Sequence, residues 1–106
     1  MVKNITDRVV RDFSQGVREK AGTKLREIVL FGSRARGDHS EHSDYDFLII
    51  LDTVAPQLKE EIRELEVKLM DTYGVLVSAL IFSDSAWEKR ITMPLGLNIR
   101  KEGIAV

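Results

Sequence analysis

Three short apolar runs set the limits on what this chain can fold into. They are Ile28-Val29-Leu30-Phe31, Phe47-Leu48-Ile49-Ile50-Leu51 and Val75 to Phe82. Each is too short for a buried helix and rich in β-branched or aromatic residues. The first is cut off by Gly32. Such runs read as strands buried on both faces. The segments around them carry helical spacing instead. Ile5, Val9, Phe13, Val17 and Ala21 recur every fourth residue, with Asn4 as a candidate N-cap and Gly22 as a stop. Pro56 opens a second helix with Leu58, Ile62, Leu65 and Leu69 on one face. Lys59, Glu60, Arg63 and Glu64 form its solvated face, and Gly74 closes it. Ser85-Ala86-Trp87-Glu88 has capping-box spacing and begins a last helical region, which Pro94 restarts and Gly103 ends. Ile104-Ala105-Val106 is left as a short edge strand. The order α-β-β-α-β-α, with a final β, predicts an α+β domain. The middle helix suits a crossover, so part of the sheet is expected to be parallel. How strands one and two pair is left open by periodicity.

Composition narrows the class further. A length of 106 residues fits a single domain, 1–106. With 43% hydrophobic and 31% charged residues, the chain has the balance of an ordered globular protein. The absence of cysteine excludes disulfides, thiol nucleophiles and thiolate metal sites. Sixteen basic against seventeen acidic side chains give no global attraction to nucleic acid or to a membrane surface. No apolar run approaches the ~20 residues of a membrane span, and the N-terminus has no apolar signal core. A cytoplasmic protein is expected.

The chemistry concentrates between the first two strands. Gly32-Ser33 stands where a strand ends, followed by Arg34 and Arg36. Glycine permits a sharp turn, and the amides after it can approach an anion. Ser33 adds a hydroxyl donor and the arginines add charge. The plain alternative for such a turn is a surface loop. Asp44-x-Asp46 opens the second strand. Alternation sends both carboxylates to one face, above Leu48 and Ile50, where they repel unless a cation lies between them. Oxygen ligands of this kind favour Mg²⁺ or Mn²⁺. The plain alternative is two exposed acids paired with Arg34 or Arg36. A phosphate cradle beside a carboxylate pair supplies what phosphoryl or nucleotidyl transfer needs.

Gly32-Ser33, ten residues, then Asp44-x-Asp46 resembles the signature of the minimal nucleotidyltransferases (MNT) of the polymerase-beta-like superfamily. The likeness extends to the Leu30 to Gly37 turn, the Asp46 to Ile49 strand, the Asp84 to Trp87 segment and the Asn98 to Ile104 ending. The resemblance implies a small mixed sheet with helices packed mainly on one face. It also implies that Gly32 and Ser33 bind the β/γ-phosphates of ATP. Asp44 and Asp46 would hold Mg²⁺, and Arg34 or Arg36 would steady the triphosphate. Members of this family often act as antitoxins that transfer AMP from ATP to a tyrosine of a helical HEPN-domain toxin. The chain is therefore expected to be a protein adenylyltransferase of that kind. The other reading is a fold that neutralises its partner by binding alone.

One departure from the family motivates that other reading. Active relatives place a third carboxylate on the next core strand, where this chain has Ser78. Asp71 and Asp84 flank that strand at a distance. The chain also holds only a catalytic core, so walls for the base and the acceptor would come from a partner or a second copy. Other side chains have ordinary readings. His39 and His42, with Asp38 and Glu41, belong to a polar loop that rarely holds metal geometry. Tyr45 has the opposite parity from the acids and should pack in the sheet. Trp87 should anchor the last helical region. Lys89, Arg90, Arg100 and Lys101 make a modest solvated basic group, and Asp52 lies too far along the strand to join the acid pair.

Overall fold

The structure is a computed structural model that describes residues 7–40 and 43–106. Helix α1 (Arg8–Ala21) buries Val9, Val10, Phe13, Val17 and Ala21 as one stripe. Its cap is Asp7, whose Oδ1 accepts the amides of Val9 at 2.8 Å and Val10 at 3.3 Å. A cap side chain of this kind satisfies donors that the helix itself cannot. Asn4 and Ile5, expected to open this helix, lie outside the described residues. Gly22 ends it with a positive φ of 55°.

Strand β1 (Leu25–Phe31) leads into the one-turn helix α2 (Ser33–Arg36), and β2 (Tyr45–Leu51) returns beside it. These two strands pair antiparallel, which settles the pairing that periodicity left open. Helix α3 (Pro56–Tyr73) then crosses over to β3 (Val77–Ser83), which runs parallel to β2 as expected. Two short helices follow, α4 (Asp84–Arg90) and α5 (Pro94–Glu102). The chain ends in β4 (Ile104–Ala105), antiparallel to β1. The sheet order is β3-β2-β1-β4.

Residue parity divides the molecule. Leu30, Phe47, Ile49, Leu51, Val77 and Ala79 face α1 and α3 in the main core. Phe13 stacks on Phe47 there, with ring centroids 4.3 Å apart. Val29, Leu48 and Ile50 face the other way and pack with Trp87 and Ile99 of α4 and α5. Both long helices thus lie on one face, in line with the expected architecture. Trp87 anchors α4 as expected, tilted against Phe82 at 5.8 Å.

Four local expectations need correction. The second strand starts at Tyr45 rather than Asp44, which lies just outside the ladder. The third strand starts at Val77 rather than Val75, because ladder pairing with β2 begins where Tyr45 does. Helix α4 is capped by Ser83, not Ser85; the Ser83 hydroxyl accepts the Ala86 amide at 3.2 Å. Arg63 is not on a merely solvated face. It donates to Glu66 at 2.7 Å and to the Ala79 carbonyl at 2.8 Å. Buried Glu66 in turn accepts the Ala79 amide at 2.8 Å. The two side chains thereby cover the outer edge of β3, whose backbone would otherwise offer unpaired groups to another strand.

Candidate active site

The site begins with Gly32. It takes φ of 77°, a region closed to most side chains, and turns β1 into α2. A Cβ on this residue would lie 2.6 Å from Oδ2 of Asp46. The turn itself calls for glycine, and a Cβ would in addition push the Asp46 carboxylate aside. The Gly32 carbonyl accepts the amides of Ala35 and Arg36 at 3.1 Å each, which forms the helical turn that half-buried Ser33 opens. Gly37, at φ 87°, ends that turn.

Asp46 sits near the start of β2, an inner strand, opposite Phe31 on β1 and Ser78 on β3. It is half-buried, and its carboxyl is pushed above the ordinary carboxylate range by burial first and by the charge of Asp44 second. Asp44 is exposed and precedes β2 by one residue, so the sheet does not hold it as it holds Asp46. Ser78 directly faces Asp46 in the register, on the exposed part of β3. No carboxylate occupies that position. Asp84 is engaged elsewhere, paired with Arg26 at 3.0 Å, and Asp71 is exposed on α3.

The two arginines have different surroundings. Arg34 donates from Nε and Nη2 to the Ser43 carbonyl at 3.2 and 2.9 Å. Its guanidinium lies 4.1 Å above the centroid of the Tyr45 ring. Tyr45 is buried in the core, as its parity predicted, and its hydroxyl donates to Asp7 at 2.6 Å. Burial, then the Asp7 hydrogen bond, pushes that phenol up to about 12. Arg36 is exposed and pairs with Asp38 at 3.1 Å and with Glu102 at 3.1 Å.

Glu102 is the neighbour that sequence reasoning missed. Its Oε1 accepts the Gly32 amide at 3.1 Å while the same carboxylate holds Arg36. The last residue of α5 is thus tied to the turn after β1. Gly103 makes this possible, since a Cβ there would press within 2.5 Å of Val29 Cγ1. The Glu102-Gly103 step was visible in the chain, but nothing local marks a carboxylate that bonds an amide seventy residues away.

His39 is exposed, and Glu41 and His42 lie outside the described residues. Among the described residues, no group of three or more His, Asp or Glu side chains is placed to hold a metal ion. Lys89, Arg90, Arg100 and Lys101 are exposed. A cavity of about 310 Å³ lies on the Asp46 side of the sheet, lined by Val29, Leu48, Trp87 and Ile99 together with the charged Glu27 and Arg100. No helix among the described residues is long and apolar enough to cross a membrane.

Comparison with known proteins gives the family and the fold. Residues 10–93 match the family described as Nucleotidyltransferase domain. A protein of Methanocaldococcus jannaschii, provisionally named protein adenylyltransferase MJ0604, is 32% identical over 97 residues. The match covers 92% of this chain and 93% of that one. Among solved structures, a toxin–antitoxin with AMP-PNP superposes with a TM-score of 0.61 at 21% identity. It covers 88% of this chain and 68% of its own. A tri-AMPylated Shewanella oneidensis HEPN toxin in complex with MNT antitoxin gives 0.54 at 18% identity, covering 92% and 70%. At these identities the structural likeness establishes the fold.

Proposed function

The chain belongs to the nucleotidyltransferase domain family, and on that premise we propose that it transfers AMP from ATP to a tyrosine of a HEPN-type toxin, as that toxin's antitoxin. The observation that carries the reading is the contact of Asp46 with the Gly32 turn, where a carboxylate takes the space of an absent side chain. The contact supports the reading because it sets a carboxylate, a type of group that binds hard divalent cations, against a glycine turn of the kind suited to phosphate. The names of the relatives support the reaction class, and the named HEPN toxin supports the kind of acceptor.

The donor set fits a hard divalent cation. Two carboxylates share one end of β2, and burial with mutual repulsion raises Asp46, a cost that a cation relieves. In this reading Asp44 and Asp46 hold Mg²⁺ or Mn²⁺, which when bound polarises the reacting phosphate. Gly32 and Ser33 receive the β/γ-phosphates once Glu102 releases the Gly32 amide, and Arg36, freed from Glu102 and Asp38, steadies the triphosphate. The acceptor hydroxyl gives its proton to solvent and its oxygen bonds to the α-phosphorus; the bond from the α-phosphorus to the bridging oxygen breaks, and pyrophosphate leaves with that electron pair. The single domain, 1–106, supplies this core, and the acceptor protein supplies the remaining walls.

The test is the mass of a co-expressed HEPN partner after incubation with MgATP. Wild type should add one or more AMP units, and Asp44→Asn with Asp46→Asn should add none while the fold persists by circular dichroism. Equal labelling by the double variant would sink the reading. Ser78, in register with Asp46, favours a second reading in which the chain inhibits by docking alone. Inhibition that needs neither ATP nor the two aspartates would establish it.

A further inference from the structure

Asp44 presents a problem that the fold must solve. A metal ligand needs a defined position, held to well under 1 Å. Asp44 is exposed and lies outside the ladder, in which the Tyr45 amide donates to the Leu76 carbonyl at 2.9 Å. Something other than the sheet must hold the peptide that enters it.

We propose that Arg34 is a positioning residue that sets the backbone of Asp44, and not a ligand of the triphosphate. This inference rests on the metal-binding reading above. Two nitrogens of Arg34 converge on the carbonyl oxygen of Ser43. That carbonyl belongs to the peptide group whose nitrogen is the amide of Asp44. A peptide is planar, so pinning its oxygen fixes the direction in which the Asp44 Cα leaves. Ser43 is also held from behind. Its hydroxyl accepts the Ser40 amide at 2.9 Å, and its own amide donates to the Ser40 carbonyl at 3.2 Å.

The next residue is gripped as well. The Tyr45 ring is buried, its hydroxyl is tied to Asp7, and its face carries the Arg34 guanidinium. Residues on both sides of Asp44 are therefore anchored through one side chain. That side chain comes from α2, directly after Ser33, so the phosphate turn and the metal ligand share a single brace. A guanidinium suits this work because it is planar, stacks on an aromatic face and donates from two nitrogens at once; an ammonium does neither of the last two as well.

The experiment compares Arg34→Gln, Arg34→Lys and Arg36→Ala with wild type. Mn²⁺ binding is measured on nucleotide-free protein, the ¹⁵N order parameter of Asp44 by NMR, and kcat and KM for ATP with the toxin as acceptor. Both Arg34 variants should weaken Mn²⁺ binding, Arg34→Gln by about tenfold or more, in the range seen when a group behind a metal ligand is removed. The Asp44 order parameter should fall with it, and kcat should drop more than KM rises. Arg36→Ala should leave Mn²⁺ binding unchanged and raise KM. Unchanged Mn²⁺ binding and a rigid Asp44 in both Arg34 variants, with only KM raised, would overturn the proposal. If the Asp44→Asn/Asp46→Asn protein binds Mn²⁺ as wild type does, the metal reading fails instead, and the order parameter alone then decides the positioning. Should Arg34→Gln not fold, Arg34→Lys carries the same comparison.

Discussion

The two faces of the sheet are made by the same strands and behave differently. On one face, Phe47, Ile49 and Leu51 are fully buried beneath two long helices. On the other, Leu48 and Ile50 are buried beneath two short helices, with a cavity beside them and a half-buried carboxylate one pleat away. Alternation along β2 places these properties two by two in adjacent residues. The first face holds the fold together. The second is left partly uncovered, so a charged group can stand on the sheet within reach of solvent. In the proposed reading, stability and chemistry are thus separated by parity rather than by distance.

Paired substitutions on the two faces give the largest test of this separation. Phe47→Ala should cost about 3–5 kcal/mol, because the ring is fully enclosed and stacked on Phe13. Leu48→Ala, its neighbour on the cavity side, should cost about 2 kcal/mol, the lower end for such a truncation. Urea midpoints at constant slope would measure both, and equal losses would break the comparison.

The next effect concerns the sheet edge. Glu66→Ala should cost about 2–3 kcal/mol, since it strands the Ala79 amide and leaves Arg63 without its carboxylate. Glu66→Gln keeps an acceptor for that amide and should lose less. A thermal melt that ranks the two the other way would show that the edge is held by something else.

Tyr45→Phe is expected to be smaller, near 1 kcal/mol for the lost Asp7 hydrogen bond. Its pH dependence has a defined sign. With the folded phenol pushed up to about 12, the stabilisation is complete below the unfolded value near 10 and fades as pH rises through 12. The gap between wild type and Tyr45→Phe should therefore close in that alkaline window.

The smallest change belongs to the open face. Burial and Asp44 raise the Asp46 carboxyl, so folding favours its neutral form. That contribution is present below the unfolded carboxylate value, near 4, and is lost as pH rises through the folded one. Without divalent cation, Asp46→Asn should melt slightly above wild type at neutral pH, and the difference should vanish in acid. Mg²⁺ should raise the melting temperature of wild type only, by mass action.

Much of the molecule was legible in the chain. The four-residue row from Val9 to Ala21, the stops at Gly22, Gly74 and Gly103, and the three apolar runs all became the expected elements, with ends shifted by a residue or two. The Gly32-Ser33 and Asp44-x-Asp46 segments were recognisable from their types and spacing, and the register does put Ser78 beside Asp46. The braces around them were not legible. Arg34 looked like a charge for phosphate, yet it grips Ser43 and Tyr45. Arg63 looked solvated, yet it covers a strand edge with Glu66. Glu102 carries no role in the sequence beyond its place in the Asn98 to Ile104 ending, yet it meets Gly32 and Arg36.

The sequence by itself determined the elements and their inner faces, because spacing of four or two residues is a local property that hydrophobic burial reads directly. It also determined which residue types stand beside Gly32. The tertiary structure alone decided that β1 and β2 run antiparallel, that the edge strand β4 pairs with β1, and which backbone group each charged side chain serves. A long polar side chain can reach many partners at similar cost, and only the assembled sheet brings one of them within 3 Å.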